Sequence, residues 1–519
     1  MPMTAQAPSN ACTSDGLEAW RPRHHFTPQR HWINDPNGPV MIDGVYHLYY
    51  QYNPNGDQWG DISWGHASSA DGVHWQEHAV ALHCTDRQMA FSGTVVVDAH
   101  NSSGLAPAGF AGTLLVALFT GFDRATQVQS QHLAYSQDGG FLFQRYPGNP
   151  VLDIGSKEFR DPKVFWHAPS AHWVMLLVRA LKQQVVVYTA PNLLHWVEVS
   201  RFGPAGSCDD NIWEMPDLFE LPVQGRPGAT RWVLIVSVNR GSLWGGSGVQ
   251  YFVGDFDGSR FIADAPLWLT GPGGGQLEDP PPLTQRTRWA DHGRDFYAPL
   301  SVANLPGPEV QWLGRMSNWA YAHELPTTPW RGQQSMLRTL SLVTTASGDR
   351  LRQQPTARTG AALAGELLLD LRDCTGAVAV AALQAAALQR DCLRIQLTVA
   401  RAGLTGPLAL SVLAGPGDAV QAGFDPVQER YHVSRTARVK RFAGVGECHT
   451  AARLQAPGAD VTLDLWVDRS LVELFADDGL VVISDVAYGD PSSTGVGLQL
   501  ADPACSVRRL LITAPLAGC

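Results

Sequence analysis

No apolar run in the sequence approaches the roughly 18–20 residues that a membrane-spanning helix needs. The Ala-rich stretch Ala377–Leu388 is too short and carries Gln384. A membrane partner is therefore not expected. Charge is also sparse. Charged residues make up 17% of the chain, with 38 Lys and Arg against 48 Asp and Glu and a formal net charge of −10. No basic run stands out, which argues against nucleic acid as a partner. A neutral small molecule is indifferent to so mild an acidity. Cysteine is scarce: Cys12, Cys84, Cys208, Cys374, Cys392, Cys448, Cys505 and Cys519 include no Cys-x-x-Cys, and His spacing around them is irregular. A zinc site is not expected, nor any other metal. Free thiols are the default, with a Cys374–Cys392 disulfide left open. Met1–Trp20 has neither the basic nor the apolar segment of a secretory signal. A cytoplasmic location is expected, with export through a removed signal as the alternative.

What is present is core-forming residue and tryptophan. Hydrophobic residues reach 45% over 519 residues, and there are 17 Trp. Two domains, one large and one small, are the expectation for that length. Most of the Trp are expected in packing. Apolar β-rich runs recur at Val45–Tyr52, Leu114–Phe122, Trp173–Ala180 and Trp232–Asn239. Each is followed by a second run: Ile62–Ser68, His132–Ser136, Val185–Thr189 and Val249–Phe256. Then come the turns Asp71-Gly72, Asp138-Gly139, Pro191-Asn192 and Asp257-Gly258, each before an aromatic residue and a last short strand. A fifth, looser unit covers Phe296–Val302, Val310–Ser317, Met336–Leu342 and Leu351–Gln354. A repeat of roughly 50–70 residues with several strands per unit predicts a β-propeller. Strands opening near Asp35, Ser92, Asp161, Glu214 and Asp295 would be the innermost strands of five blades. Their polar motifs would converge at one end of the axis.

The signal weakens between Val343 and Leu363, and beyond it lie strands without the repeat: Leu393–Val399, Leu408–Leu413, Val461–Val467 and Leu471–Phe475. These predict a β-sandwich, with a short helical reading at Ala382–Leu388. The expected fold is all-β: a tail at 1–20, a five-bladed propeller at 21–343, a linker at 344–362 and a sandwich at 363–519.

Three carboxylates stand in strong local contexts. Asp35 lies in Trp32-Ile33-Asn34-Asp35-Pro36-Asn37-Gly38, where Pro36 fixes one dihedral and Gly38 opens others. Asp161 lies in Phe159-Arg160-Asp161-Pro162-Lys163-Val164, and Glu214 in Trp213-Glu214-Met215-Pro216-Asp217. Each opens a predicted blade. Glycoside hydrolysis needs two carboxylates, one to attack or activate water and one to protonate the leaving oxygen.

The first motif, and the three carboxylates in this order, resemble glycoside hydrolase family 32, the invertases, inulinases and levanases. That resemblance implies Asp35 as nucleophile, Glu214 as acid/base and Asp161 as transition-state stabiliser. Asp35 would be ionised, and Asp161 would be kept ionised by Arg160. Glu214 would be raised by burial and nearby negative charge. Retention would put the Asp35 and Glu214 carboxyl groups about 5–5.5 Å apart. Further matches are Gln51-Tyr52-Asn53-Pro54, Trp59-Gly60, Phe91-Ser92-Gly93-Thr94, Asp291–Ala298 and Asn318-Trp319. They imply sugar contacts from Asn34, Gln51, Trp59, Phe91, Ser92, Arg160 and Trp319. Val467–Phe475 resembles the hallmark of the family's sandwich and reads as structural. The sequence departs from the family's habit at Met215, Ile33, Leu337 and Arg315, the last standing where an aromatic is common. The implied activity is exo-acting β-fructosidase action on sucrose or fructans, without a cofactor. The alternatives are a fructosyltransferase with the same machinery and a non-catalytic fructan-binding propeller. The five-bladed arabinan-type hydrolases lack the Asn-Asp-Pro-Asn-Gly motif.

Overall fold

The computed structural model describes residues 18–208, 211–264, 287–436, 448–456 and 458–516. Cys12, Cys519 and most of the expected tail lie outside these. The first part is a ring of five antiparallel sheets, blades I to V, whose innermost strands are His31–Ile42, Gln88–Val97, Phe159–His167, Trp213–Gln224 and Tyr297–Ser301. Each blade then runs outward, as in blade II through Leu115–Asp123, Gln129–Ser136 and Gln144–Arg145.

The second strands of blades II, III and IV read as largely apolar runs because both their faces are buried. In blade II, Leu115, Ala117 and Phe119 pack with Val40, Tyr49 and Trp64 of blade I, while Val116 and Leu118 pack with Phe159, Met175 and Leu177 of blade III. This is the two-residue side-chain period of a strand, used twice. The same interdigitation continues between III and IV and between IV and V. The ring closes where Ile33, Met41 and Leu48 of blade I meet Val302, Leu313 and Leu337 of blade V. Parallel pairing of His31 with Trp330 and of Trp32 with Arg331 latches that seam. Trp32, Trp64, Trp213, Trp312 and Trp330 are all fully buried in these layers. Close approach of the inner strands sets a glycine requirement: Gly38 has φ +41°, and a Cβ there would lie 2.4 Å from the Val95 nitrogen.

The segment expected as a linker at 344–362 is largely blade. Arg338–Thr345 and Gly348–Pro355 pair as the outer hairpin of blade V, with its turn at Ala346-Ser347. A one-turn helix, Ala357–Ala362, follows, capped by Thr356. The polar alternation of Gly348–Pro355 left only Leu351–Gln354 legible as a strand and hid the rest, since it is an edge with one solvated face. Two further sheets, of six and five strands, stack into the sandwich. Their core joins Ile395, Leu397, Leu465 and Ile512 to Leu410, Val420, Phe424 and Val433. The helix there spans Gly376–Ala386, longer than the composition suggested, and buries Ala379 and Leu383. Cys374 and Cys392 are both free thiols, so the disulfide left open by the sequence does not form. Among the described residues, no helix is long and apolar enough to cross a membrane.

The domains are locked together by charge. Asp468 accepts the backbone N–H groups of Arg23, His24 and His25, and His25 Nδ1 lies 2.9 Å from its Oδ2. Glu473 accepts from Arg338 Nε at 3.0 Å and from the Met336 N–H at 2.9 Å, and lies 2.9 Å from His25 Nε2. The Val467–Phe475 motif thus sits at the junction. Trp20, within the expected tail, is buried beside Tyr488.

Candidate active site

Each of the five inner strands carries a β-bulge, at Asn34-Asp35, Phe91-Ser92, Asp161-Pro162, Met215-Pro216 and Ala298-Pro299. A bulge inserts a residue, bends the strand and re-aims side chains. Proline fits there because no ladder N–H is lost. Asp161, Met215 and Ala298, each before a proline, take φ of 63°, 49° and 52°. Such left-handed non-glycine residues cost about 1–3 kcal/mol each and persist where the surroundings over-determine them. Five bulges around one axis bring polar groups from distant parts of the chain to one place.

On one side stands Asp35. Its Oδ2 accepts from Ser92 Oγ at 3.2 Å and from Gln51 Nε2 at 3.4 Å, while its buried Oδ1 has no hydrogen-bond partner. Gln51 also donates to Ser92. Behind them runs a relay: Trp32 Nε1 donates to Asn34 Oδ1 at 2.8 Å, and Asn34 Nδ2 donates to Gln51 Oε1 at 3.0 Å. Asn34 is buried with both ends of its amide engaged, so it orients Gln51. Burial pushes the Asp35 carboxyl up to about 6, with the Arg315 charge opposing and Glu214 adding to the rise.

Glu214 faces it across the site. Arg160 Nη2 donates to Oε1 at 3.0 Å, Asn239 Nδ2 donates to Oε2 at 3.2 Å, and the Tyr297 hydroxyl also donates to Oε2. Arg160, Glu214 and Tyr297 occupy one equivalent position on three consecutive blades, each just before the left-handed residue. The expected setting of burial among negative charge is only partly met. Glu214 is half-buried, and its closest charged neighbour is the cation of Arg160.

Asp161 lies between the two, buried, with Oδ2 accepting the Met215 N–H at 3.0 Å. The sequence suggests that Arg160 keeps it ionised. The guanidinium is instead committed to Glu158 at 2.6 Å and Glu214 at 3.0 Å, and its Nε stands 3.9 Å from Asp161. Burial raises Asp161 to about 7, outweighing Arg160, and Glu214 adds to the rise. Below these groups the channel is plugged: Lys163 Nζ is 3.1 Å from Asp217 and donates to Ser301 Oγ at 2.7 Å.

Aromatic walls complete the site. Trp59, 39% exposed, meets Phe91 edge-on at 5.9 Å, and Phe91 stacks on Phe122 at 5.0 Å. Trp319 lies 6.1 Å from Trp32, and the Arg315 guanidinium sits over the Trp319 ring at 4.1 Å. Three participants are absent from the sequence reading: Tyr297, Asn239 and the place of Arg315. The expected opening of blade V, Asp295, turns away to the sandwich, where Arg435 Nη1 and the Val486 N–H donate to it. The Ala298-Pro299 doublet, matching Asp161-Pro162 and Met215-Pro216, is the signal that identifies Tyr297. No motif marks Asn239, which follows the second strand of blade IV. Among the described residues, no cluster of His, Cys, Asp or Glu could hold a metal ion.

Comparison with known proteins gives a consistent picture. The family model "Glycosyl hydrolases family 32 N-terminal domain" matches residues 25–355, and "Glycosyl hydrolases family 32 C terminal" matches residues 351–508. A levanase of Bacillus subtilis is 38% identical over 502 residues, covering 95% of this chain and 70% of that protein. The crystal structure of an exo-inulinase from Aspergillus awamori superposes with a TM-score of 0.83 at 30% identity, covering 96% of this chain and 98% of that one. A β-fructofuranosidase from Schwanniomyces occidentalis, complexed with fructosyl-erythritol, gives 0.82 at 28% identity over 98% and 99% of the two chains.

Proposed function

From the premise that this chain belongs to glycoside hydrolase family 32, we propose that it is a retaining, exo-acting β-fructosidase. It removes terminal fructose from the non-reducing end of sucrose or fructans. Activity on fructosides is supported by the levanase and exo-inulinase it resembles. The observation that carries the assignment of roles is the asymmetry of Asp35: one oxygen is held by Ser92 and Gln51 and the other is free. The free Oδ1 attacks the anomeric carbon of the fructosyl unit. Glu214, held by Arg160, Asn239 and Tyr297, gives its proton to the leaving oxygen. The bond to the aglycone breaks and a fructosyl ester forms on Asp35. Glu214 then takes a proton from water, which attacks the same carbon and frees Asp35. Asp161 hydrogen-bonds sugar hydroxyls as oxocarbenium character grows. Trp59, Phe91 and Trp319 line the apolar surface of the ring. No step calls for a cofactor.

Chromatography of the products from sucrose, inulin and levan, each incubated with the purified protein, tests this. Free fructose as the sole early product of a fructan is expected. Internal fragments would overturn the exo-acting reading. Oligosaccharides growing from sucrose would make the protein a fructosyltransferase on the same machinery, and inertness on all three would leave a sugar-binding propeller.

A further inference from the structure

Arg315 ends the second strand of blade V, Val310–Arg315, directly opposite Tyr297 in the ladder. It is 1% exposed, and none of its three guanidinium nitrogens has a hydrogen-bond partner. That is expensive: a buried charge normally requires both a counter-ion and satisfied donors. Three other buried arginines have counter-ions. Arg338 is paired with Glu473 and Asp291, Arg435 with Asp295, and Arg160 with Glu158 and Glu214. Arg315 instead lies over two indole faces, 4.1 Å from the Trp319 ring and 5.2 Å from the Trp32 ring. Cation–π attraction offsets part of the desolvation cost, and such contacts are strongest where water is excluded. On the sequence alone, this arginine in place of an aromatic suggests altered sites beyond the first sugar. The structure puts it behind the floor of the site.

We propose that Arg315 is a positioning residue for the nucleophile's side of the site: its unpartnered guanidinium, stacked on Trp319 and Trp32, fixes the tilt of those rings and supplies the positive charge that the buried Asp35 carboxyl group faces. This rests on the fructosidase reading with Asp35 as nucleophile. The groups facing Asp35 are Glu214 and Asp161 from the inner strands of blades IV and III, Tyr297 from blade V, and the donors Ser92 and Gln51. Glu214 and Asp161 are acidic and Tyr297 is neutral, so Arg315 is the cation that favours the ionised nucleophile most. Arg315 itself is faced by Asp35, Tyr297, Glu214, Asp295 and His323. Burial is the largest influence raising Asp35 and Arg315 the largest lowering it, with the carboxyl left at about 6.

The test is the pH profile of kcat/KM for sucrose in Arg315→Met, Arg315→Lys and Arg315→Trp, with melting temperature measured alongside. In Arg315→Met the acid limb is expected to climb by about half to one pH unit, so that the loss is about three- to tenfold at pH 5 and nearly absent at pH 8. Arg315→Lys, which keeps the charge without the planar stacking, is expected to restore the limb while kcat stays low. Arg315→Trp, which keeps the packing without the charge, is expected to show the raised limb with a normal melting temperature. An acid limb unmoved in both Met and Trp variants would overturn the proposal and leave Arg315 as packing. If the Met variant fails to fold, the Trp and Lys pair decides alone. Should Asp35→Asn keep its turnover, the underlying reading fails; an unmoved limb in an enzyme that Asp35→Asn inactivates counts only against Arg315.

Discussion

Asp35 and Glu473 are both carboxylates buried in β-strands of one chain, yet burial drives the first up to about 6 and the second falls to about 2. The difference lies in their partners. For Glu473 burial is also the largest influence and acts upward, but the Arg338 charge and the His25 hydrogen bond outweigh it. His25 is driven to about 9 because Asp468 and Glu473 overcome its own burial. Every oxygen in that cluster is used. At the axis, Asp35 keeps an oxygen with no partner, Arg315 keeps three nitrogens with none, and three inner strands hold a left-handed non-glycine residue at their bulges. The junction is built for stability. The axis stores unsatisfied groups for a substrate to meet.

The largest effect that sharpens this contrast is on turnover. Asp35→Asn and Glu214→Gln are each expected to lower kcat on sucrose by roughly 10³-fold or more, since the roles proposed for them are covalent attack and proton transfer. Circular dichroism and melting temperature should show a folded protein. A rate near that of the unsubstituted enzyme in either variant would sink the role assigned to that residue.

Next in size is the junction. Arg338→Met leaves Asp291 buried without its cation and Glu473 with His25 alone, so unfolding should become easier by about 3–5 kcal/mol in a urea titration. The kcat of the molecules that remain folded should be unchanged, because Arg338 touches no group of the site. Loss of kcat with full stability would mean that the two clusters are not independent. The pH dependence has a definite sign. Glu473 is depressed from 4.5 to about 2, so its contribution is present above 4.5 and is lost as pH falls through 2. His25 is raised from 6.5 to about 9, so its contribution is complete below 6.5 and is lost as pH rises through 9.

Asp35 runs the other way. The folded state binds its proton more tightly than the unfolded chain, so stability falls as pH rises from 3.8 to about 6 and stays lower above that. Asp35→Asn removes this liability. The inactive variant should be more stable than the parent at pH 7 by up to roughly 3 kcal/mol, with the gap closing toward pH 4. Thermal melts of both proteins across pH 4–8 measure it. An inactive Asp35→Asn that melts lower at every pH would place the nucleophile in a satisfied environment and dissolve the contrast.

How much of this was legible follows from chemistry. Continuous apolar runs gave away four blades, three with Asp-Gly turns and one with Pro191-Asn192, because strands buried on both faces have no choice of residue type. The places of Asp35, Asp161 and Glu214 on the inner strands were legible because proline-bearing bulges leave a local signature. The full extent of the outer hairpin of blade V was not, since its polar edge strand runs through the stretch read as a linker, where only Leu351–Gln354 shows as a strand. Nor were the partners of Glu214, which depend on which residues five separate bulges bring together.

Tyr297 is the case where this can be checked most finely, and its expected effect is the smallest. A reading of blade V that starts from its acidic residue selects Asp295, which the structure gives to Arg435 and the sandwich. A reading that starts from the residue–Pro doublet selects Tyr297, two positions on, whose hydroxyl donates to Glu214. Tyr297→Phe removes that donor alone and leaves Arg160 and Asn239 on the carboxyl group. One lost hydrogen bond to a charged group corresponds to about 1.5–3 kcal/mol, so kcat/KM should fall by roughly 10- to 100-fold with KM little changed. Asp295→Asn, by contrast, should lower the melting temperature and leave kcat/KM of the folded enzyme nearly intact, because Asp295 contacts Tyr321, Arg435 and Val486 rather than the acid/base. The opposite pattern would mean that the acidic residue, not the bulge, marks the catalytic position on this blade.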